Sequence, residues 1–237
     1  MPMKFPVLTV VAALSIAMAT SGCGRKAEEY FPLEKGRYWE YQMKVSILGH
    51  DAIQKQVYRN QGSGEFDGKR VQIREYPGGG HGYFRVTREG VERVASAGLS
   101  SEDLKADPPG TFMLKMPYKK GTTWKATSRL SLIESRTFEP SDRIIPLHIP
   151  VRMSFVIEAD DDVVRVPAGE FSHCLRVHGT GDLTIRVDRG YHRAYIQVDE
   201  VDWYAPGVGL VKSQRSEASD SYFLKTGTYL LELQQAH

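Results

Sequence analysis

The chain consists of short extended runs closed by glycine and proline turns, and this punctuation limits its possible folds more than any other feature. Residues 53–59, 69–76, 83–88 and 91–95 form such runs, and Arg88-Glu89-Gly90 makes a tight connection between the last two. Before them, the bend Pro32-Leu33-Glu34-Lys35-Gly36 opens into Tyr38-Trp39-Glu40-Tyr41. Alternation from Tyr41 puts Met43, Val45 and Ile47 on its face of a strand that ends near Leu48. In the second half, 151–157, 163–166, 174–187, 191–204 and 222–233 continue the pattern, with turns at 167–171, 188–190 and 205–207. Gly179-Thr180-Gly181 bends or breaks one run, and Gly227 marks a bulge or hairpin point in the last. Amphipathic stretches of 3.6-residue period are scarce. The expectation is a mainly β protein with few short helices: a large curved antiparallel sheet that forms an incomplete or closed β-barrel, since closure limits exposed edges. Membrane-spanning strands are not expected, because alternating spans of about ten residues are not sustained.

Ahead of this pattern stands a different kind of segment. Lys4 is followed from Phe5 to Ala19 by uncharged, mostly apolar residues, and Thr20-Ser21-Gly22 precedes Cys23. A basic start, an apolar core and small residues at the cut describe an export leader, shorter than the roughly 20 residues of a membrane span. Its end resembles the lipobox of bacterial lipoproteins, in which the cysteine receives lipid and becomes the first mature residue. Thr20 stands where that pattern most often has leucine. The resemblance further implies that Gly24, in place of aspartate, directs an enterobacterial-type lipoprotein to the outer membrane. The expected organisation is a leader over 1–22, a lipidated Cys23 with a short tether over 23–29, and one β-rich periplasmic domain over 30–237. The domain would be anchored on the periplasmic side of the bacterial outer membrane.

Composition narrows the function classes. Removing the leader leaves 215 residues, enough for one substantial core. Lys plus Arg total 31 against 29 Asp plus Glu, a balance that gives no electrostatic reason to expect nucleic acid. With Cys23 modified, Cys174 is the only cysteine left, so no intrachain disulfide can hold the mature fold.

Smaller features carry less chemistry than they first suggest. Pro117-x3-Gly121-x2-Trp124 repeats the spacing of Pro32-x3-Gly36-x2-Trp39, which reads as two strands opened by the same kind of turn. The run Pro77-Gly78-Gly79-Gly80-His81-Gly82 lacks the Lys-Ser/Thr ending and following helix of a phosphate loop, and reads as a bend. Residues 100–105 could form a short helix capped by Ser100 or Ser101, stopped by Pro108 and Pro109. The three prolines of 140–150 suit a loop or irregular edge. The acidic run from Glu158 to Asp162 reads as a solvated turn, and Lys115, Lys119, Lys120, Lys125 and Arg129 as a solvated sheet edge. His173-Cys174-x3-His178 is the densest set of nucleophile and ligand side chains. In a regular strand it puts Cys174 and His178 on one face roughly 13 Å apart, too far for direct shared metal ligation.

Three segments together resemble uncharacterised bacterial exported lipoproteins of the TapB-like and DUF3108-like groups. They are Tyr30-Phe31-Pro32-Leu33 with Gly36 and Trp39-Glu40-Tyr41, Val166-Pro167-Ala168-Gly169-Glu170-Phe171 with Cys174, and Trp203-Tyr204-Ala205-Pro206-Gly207 continuing to Lys212. The resemblance implies an envelope β protein and supplies no catalytic residue.

The functional expectation is therefore a non-enzymatic cell-envelope lipoprotein with a structural, assembly or partner-binding role, tied to the membrane through its N-terminal lipid. The residues indicate neither a cofactor nor a metal. One alternative is a periplasmic carrier or chaperone for lipid or other apolar cargo, with Tyr38, Trp39, Tyr41, Trp124, Tyr195 and Trp203 lining an open cavity rather than filling a core. Another is a small-ligand hydrolase, which needs clustered His and Asp or Glu groups around a cleft.

Overall fold

The computed structural model describes residues 27–98, 104–135, 145, 146, 149–187 and 191–237. Strands account for 72% of the structure and helix for almost none, as the turn punctuation predicts. The first half is a meander of β1 (Tyr38–Ile47), β2 (His50–Phe66), β3 (Lys69–Glu75), β4 (His81–Thr87) and β5 (Gly90–Ala97). Two short strands, β6 (Lys105–Ala106) and β7 (Phe112–Lys115), both pair with β5. The chain continues through β8 (Thr123–Arg129), β9 (Glu134–Ser135), β10 (Ile145–Pro146), β11 (Pro150–Val166), β12 (Gly169–Val187), β13 (His192–Ala205), β14 (Gly209–Ser219), β15 (Leu224–Lys225) and β16 (Gly227–Ala236).

Thirteen strands form one sheet, ordered β6-β5-β4-β3-β2-β1-β16-β14-β13-β12-β11-β8, with β7 beside β5. All its pairings are antiparallel. Its two meanders join where the first strand meets the last, with Tyr41 opposite Leu233 and Val45 opposite Tyr229. The sheet curves into a barrel that does not close, since β7 and β8 share no strand ladder. A side chain spans this seam instead: the Trp124 indole N–H donates to the Phe112 carbonyl at 3.1 Å. The free edge at β8 carries the exposed Lys125, as expected of a protected edge. Strands β10, β9 and β15 form a separate three-stranded patch.

The repeated Pro-Gly-Trp spacing marks the start of each meander. Gly36 and Gly121 adopt φ values of 88° and 91°, a left-handed conformation that glycine reaches without a Cβ clash. Three residues on, Trp39 and Trp124 turn inward and are 2% and 6% exposed. Each indole N–H finds a backbone carbonyl: that of Val208 at 2.7 Å for Trp39, and that of Phe112 for Trp124.

Several local expectations change. The helix expected over 100–105 lies mostly outside the described residues, and Lys105 opens a strand. The 140–150 loop and the 188–190 turn also lie largely outside them. Strand β8 ends at Arg129, where the chain leaves the main sheet before β9. The Gly-rich bend is a short 3-10 turn at Pro77–Gly79.

The acidic run is a segment of β11 and forms no turn, because its carboxylates have partners on the neighbouring strand. Arg176 lies 3.3 Å from Glu158 and 3.7 Å from Asp162. Register shifts between Ile157 and Val164, together with the left-handed backbone of His173 (φ 55°), bend the β11–β12 hairpin. The bend brings Val164, Phe171 and Cys174 onto Trp39, Tyr41 and Leu233 at one end of the barrel.

The segment before β1 is part of this core. Ala27 is fully buried, and Tyr30, Phe31 and Leu33 pack with Phe84, Val91 and Leu175. No helix among the described residues is long and apolar enough to cross a membrane.

Candidate functional site

Of the six aromatic residues singled out from sequence, Trp39 and Tyr41 share one cluster with Trp203 packed against it, and the six form no common site. Trp39 and Tyr41 point inward from β1, and the buried Tyr41 hydroxyl donates to the Leu210 carbonyl at 2.8 Å. Trp124 lies inside against Phe155, with ring centres 5.4 Å apart. These three fill core, and their polar atoms are spent on backbone carbonyls. Tyr38 stacks on His237 at 4.7 Å, on the opposite face of β1 from Trp39. Tyr195 is 40% exposed. Trp203 is half-buried, donates to Asp162 at 3.1 Å and lies under the Lys212 ammonium. Cys23 lies outside the described residues.

The group with the most unusual electrostatics was not singled out. In β13, Ala194, Ile196 and Val198 face inward; the same alternation carries Glu200, Asp202 and Tyr204 into the interior. On β14, Ser213, Arg215 and Glu217 follow Val211 inward in the same way. Arg215 is 5% exposed, and its guanidinium donates to Glu217 at 2.8 Å, to Glu200, to Ser128 at 3.2 Å and to the Arg129 carbonyl at 3.0 Å. Burial opposes its charge, but Glu200 and Glu217 outweigh burial and hold its pKa above the ordinary value. Glu217 is 1% exposed and also accepts the backbone N–H groups of Ser131, Leu132 and Ile133 at 2.9 to 3.2 Å. It thereby ties the segment leaving β8 onto β14.

Asp202 completes the cluster and has no such pairing. Its Oδ2 accepts from the Tyr204 hydroxyl at 3.1 Å, while among the described residues the buried Oδ1 has no hydrogen-bond partner of good geometry, although Ser213 and Glu200 lie beside the carboxyl. Burial first, then the nearby Glu200, raises its pKa well above the usual carboxyl range. Glu200, Asp202 and Tyr204 form one wall of a pocket of about 310 Å³ inside the seam. Its other walls come from the two unjoined parts of the sheet, including His81, Arg93, Phe112 and Met113 on one side and Ala126 and Phe155 on the other. Arg93 is already engaged, donating to Asp107 at 2.6 and 3.3 Å.

No family model matches this chain, and no curated protein matches it. Similarity to solved structures extends to a provisionally described exported protein with a YmcC-like fold from Bacteroides fragilis, at 15% identity and a TM-score of 0.41. It extends also to a provisionally described lipoprotein from Parabacteroides distasonis, at 14% identity and a TM-score of 0.33. Each alignment covers 88% of this chain and 98% of the other. Overlaps this loose carry no residue or role across to this chain, and the TapB-like and DUF3108-like resemblance has no counterpart among the family models.

The His173-Cys174-His178 group forms no shared site: Cys174 is buried in the cluster with Trp39, Val164 and Leu233, while His178 is partly exposed. Burial, reinforced by Asp162, pushes the Cys174 thiol up to about 11, so little thiolate exists at neutral pH. His178 instead bridges strands: Nδ1 lies 2.9 Å from Glu158 and Nε2 2.8 Å from Asp199. Among the described residues, no group of three or more His, Cys, Asp or Glu side chains is placed to hold a metal ion.

The hydrogen bond to Asp199, assisted by that to Glu158, raises the His178 pKa above 6.5 against the effect of burial. A raised folded-state pKa stabilises the fold fully below the unfolded value, and the gain is lost as pH rises through the folded value. In urea titrations, the stability advantage of the wild type over His178→Gln will therefore be largest below pH 6.5 and shrink above it. The group is partly exposed, so the change will be less than about 1 kcal/mol. An advantage that does not vary with pH would refute the bridge.

Proposed function

We propose that this chain is a non-enzymatic envelope lipoprotein, anchored through Cys23 on the periplasmic side of the outer membrane, where its β domain holds or assembles a partner at the membrane surface. The observation that carries this reading is the burial of Ala27, with Tyr30, Phe31 and Leu33 already in the core. Only Gly24, Arg25 and Lys26 lie between Cys23 and Ala27, and each of the four steps along an extended chain covers at most about 3.6 Å. The domain therefore sits within about 14 Å of its lipid. A short, inbuilt mount suits a fixed station better than a carrier that must travel.

The interior supports the same choice. Apolar cargo needs an open apolar cavity, whereas Trp39, Tyr41 and Trp124 fill theirs and the seam pocket is walled in part by buried carboxyls. A hydrolase gains no support from His178, whose ring nitrogens are engaged by Glu158 and Asp199, or from Cys174, which is buried.

Fractionation of cells expressing the full chain tests the anchor. The wild type will pellet with outer membrane, and Cys23→Ala will leave that fraction. Equal recovery of both there would sink the reading.

A further inference from the structure

The seam pocket has the construction of a ligand site. It lies where the sheet fails to close, so a small molecule can reach it without opening a strand ladder. Its volume of about 310 Å³ is at the lower end of the range for small-molecule sites. Phe112, Met113 and Phe155 offer apolar and aromatic walls, and the base offers the carboxyls of Glu200 and Asp202.

Charge accounting indicates what is missing. Arg215 is the guanidinium paired in this cluster, and Glu200 and Glu217 already share it. An ionised Asp202 would be a third carboxylate beside Arg215; the pocket wall also carries Arg129 and Arg93, the latter paired with Asp107. Asp202 is only 8% exposed, and among the described residues its Oδ1 has no hydrogen-bond partner of good geometry, although Ser213 and Glu200 lie beside the carboxyl. A carboxyl that serves the fold alone normally has both oxygens satisfied at such depth.

We propose that the seam pocket binds a small organic cation, a primary or secondary ammonium compound with a short apolar body. Its N–H donors rest on Asp202 and Glu200, and its carbons lie against Phe112, Met113 and Phe155. The ammonium places a positive charge and N–H donors directly against the two carboxyls, and burial of its carbons on the apolar wall adds to the affinity. Burial and the nearby Glu200 raise the Asp202 pKa well above the usual carboxyl range, and a bound cation favours the ionised carboxylate. Binding therefore strengthens as pH rises.

The test is calorimetric titration of the full mature protein with butylammonium chloride, and with 1-butanol as an uncharged counterpart of similar shape. Butylammonium will bind at least tenfold more tightly than 1-butanol. Repeating the titration in buffers of different ionisation enthalpy will reveal proton release. Asp202→Asn, which keeps the shape of the neutral acid, will weaken butylammonium at least tenfold. Ala126→Leu, which narrows the pocket and spares both carboxyls, will abolish binding. Equal affinity for butylammonium and 1-butanol, or no binding of either, would overturn the proposal in the wild type alone. Undiminished binding to a folded Asp202→Asn or Ala126→Leu protein would do so as well.

Discussion

Glu217→Ala will lower the free energy of unfolding by about 3 to 5 kcal/mol, the cost of breaking a buried ion pair from one side. The carboxylate is 1% exposed, pairs with Arg215 and accepts three consecutive backbone N–H groups, from Ser131 to Ile133. Its removal leaves those donors and a buried guanidinium short of an acceptor. For a domain of this length, the loss corresponds to a fall in Tm of roughly 6 to 20 °C. Glu217→Gln will recover part of it, since the amide oxygen still accepts. A urea midpoint within experimental error of wild type for Glu217→Ala would show that Ser131 to Ile133 are not held this way.

Arg74→Ala will have the second largest effect, about 3 kcal/mol from lost hydrogen bonds and the cavity left behind. Arg74 is 7% exposed, and burial lowers its pKa, yet its bonded partners are neutral. It donates to the Asn60 side chain at 2.9 Å and to the Pro32 carbonyl at 2.7 Å. Its guanidinium lies 4.2 Å from the Phe31 ring centre and 4.6 Å from that of Trp39. Asn60 in turn donates to the carbonyls of Pro32 and Glu34 at 3.1 Å. This arrangement pins the entry segment to β2 and β3, so its loss will be felt first at the mount. Limited proteolysis will cut Arg74→Ala within 27–37 faster than wild type, at denaturant concentrations where the barrel is still folded. Arg74→Lys will recover less than half the stability, because an ammonium cannot reproduce the planar fork between Asn60 and Pro32. Unchanged cleavage in 27–37 would mean that the barrel holds this segment without Arg74.

The local part of the fold was legible because turns are a local matter. Gly36, Gly121, Gly169 and Gly207 stand where the backbone takes positive φ, and the strands begin and end around them. The pairing of β1 with β16 and of β8 with β11 was not legible, because ladders between distant segments leave no mark in either one alone. The acidic run misled because four carboxylates within five residues look solvated, whereas Glu158 and Asp162 are met by His178, Arg176 and Trp203 on adjacent strands. For Cys174 the sequence pointed to a buried small residue, and it is buried with Trp39 and Val164. For the seam pocket, a signal was present. Glu200 and Asp202 sit at the parity of Ala194, Ile196 and Val198, which puts carboxyls where the strand has committed its side chains to the core.

The claim that this is a membrane-mounted station for a partner is tested most directly by mass spectrometry of the protein purified from native envelope with its anchor intact, beside Cys23→Ala in the same detergent. The account predicts a mature chain beginning at a lipid-modified Cys23, accompanied by a stoichiometric protein partner and by no extractable lipid cargo. An unmodified N-terminus, or a stoichiometric lipid beyond the covalent anchor, would contradict it.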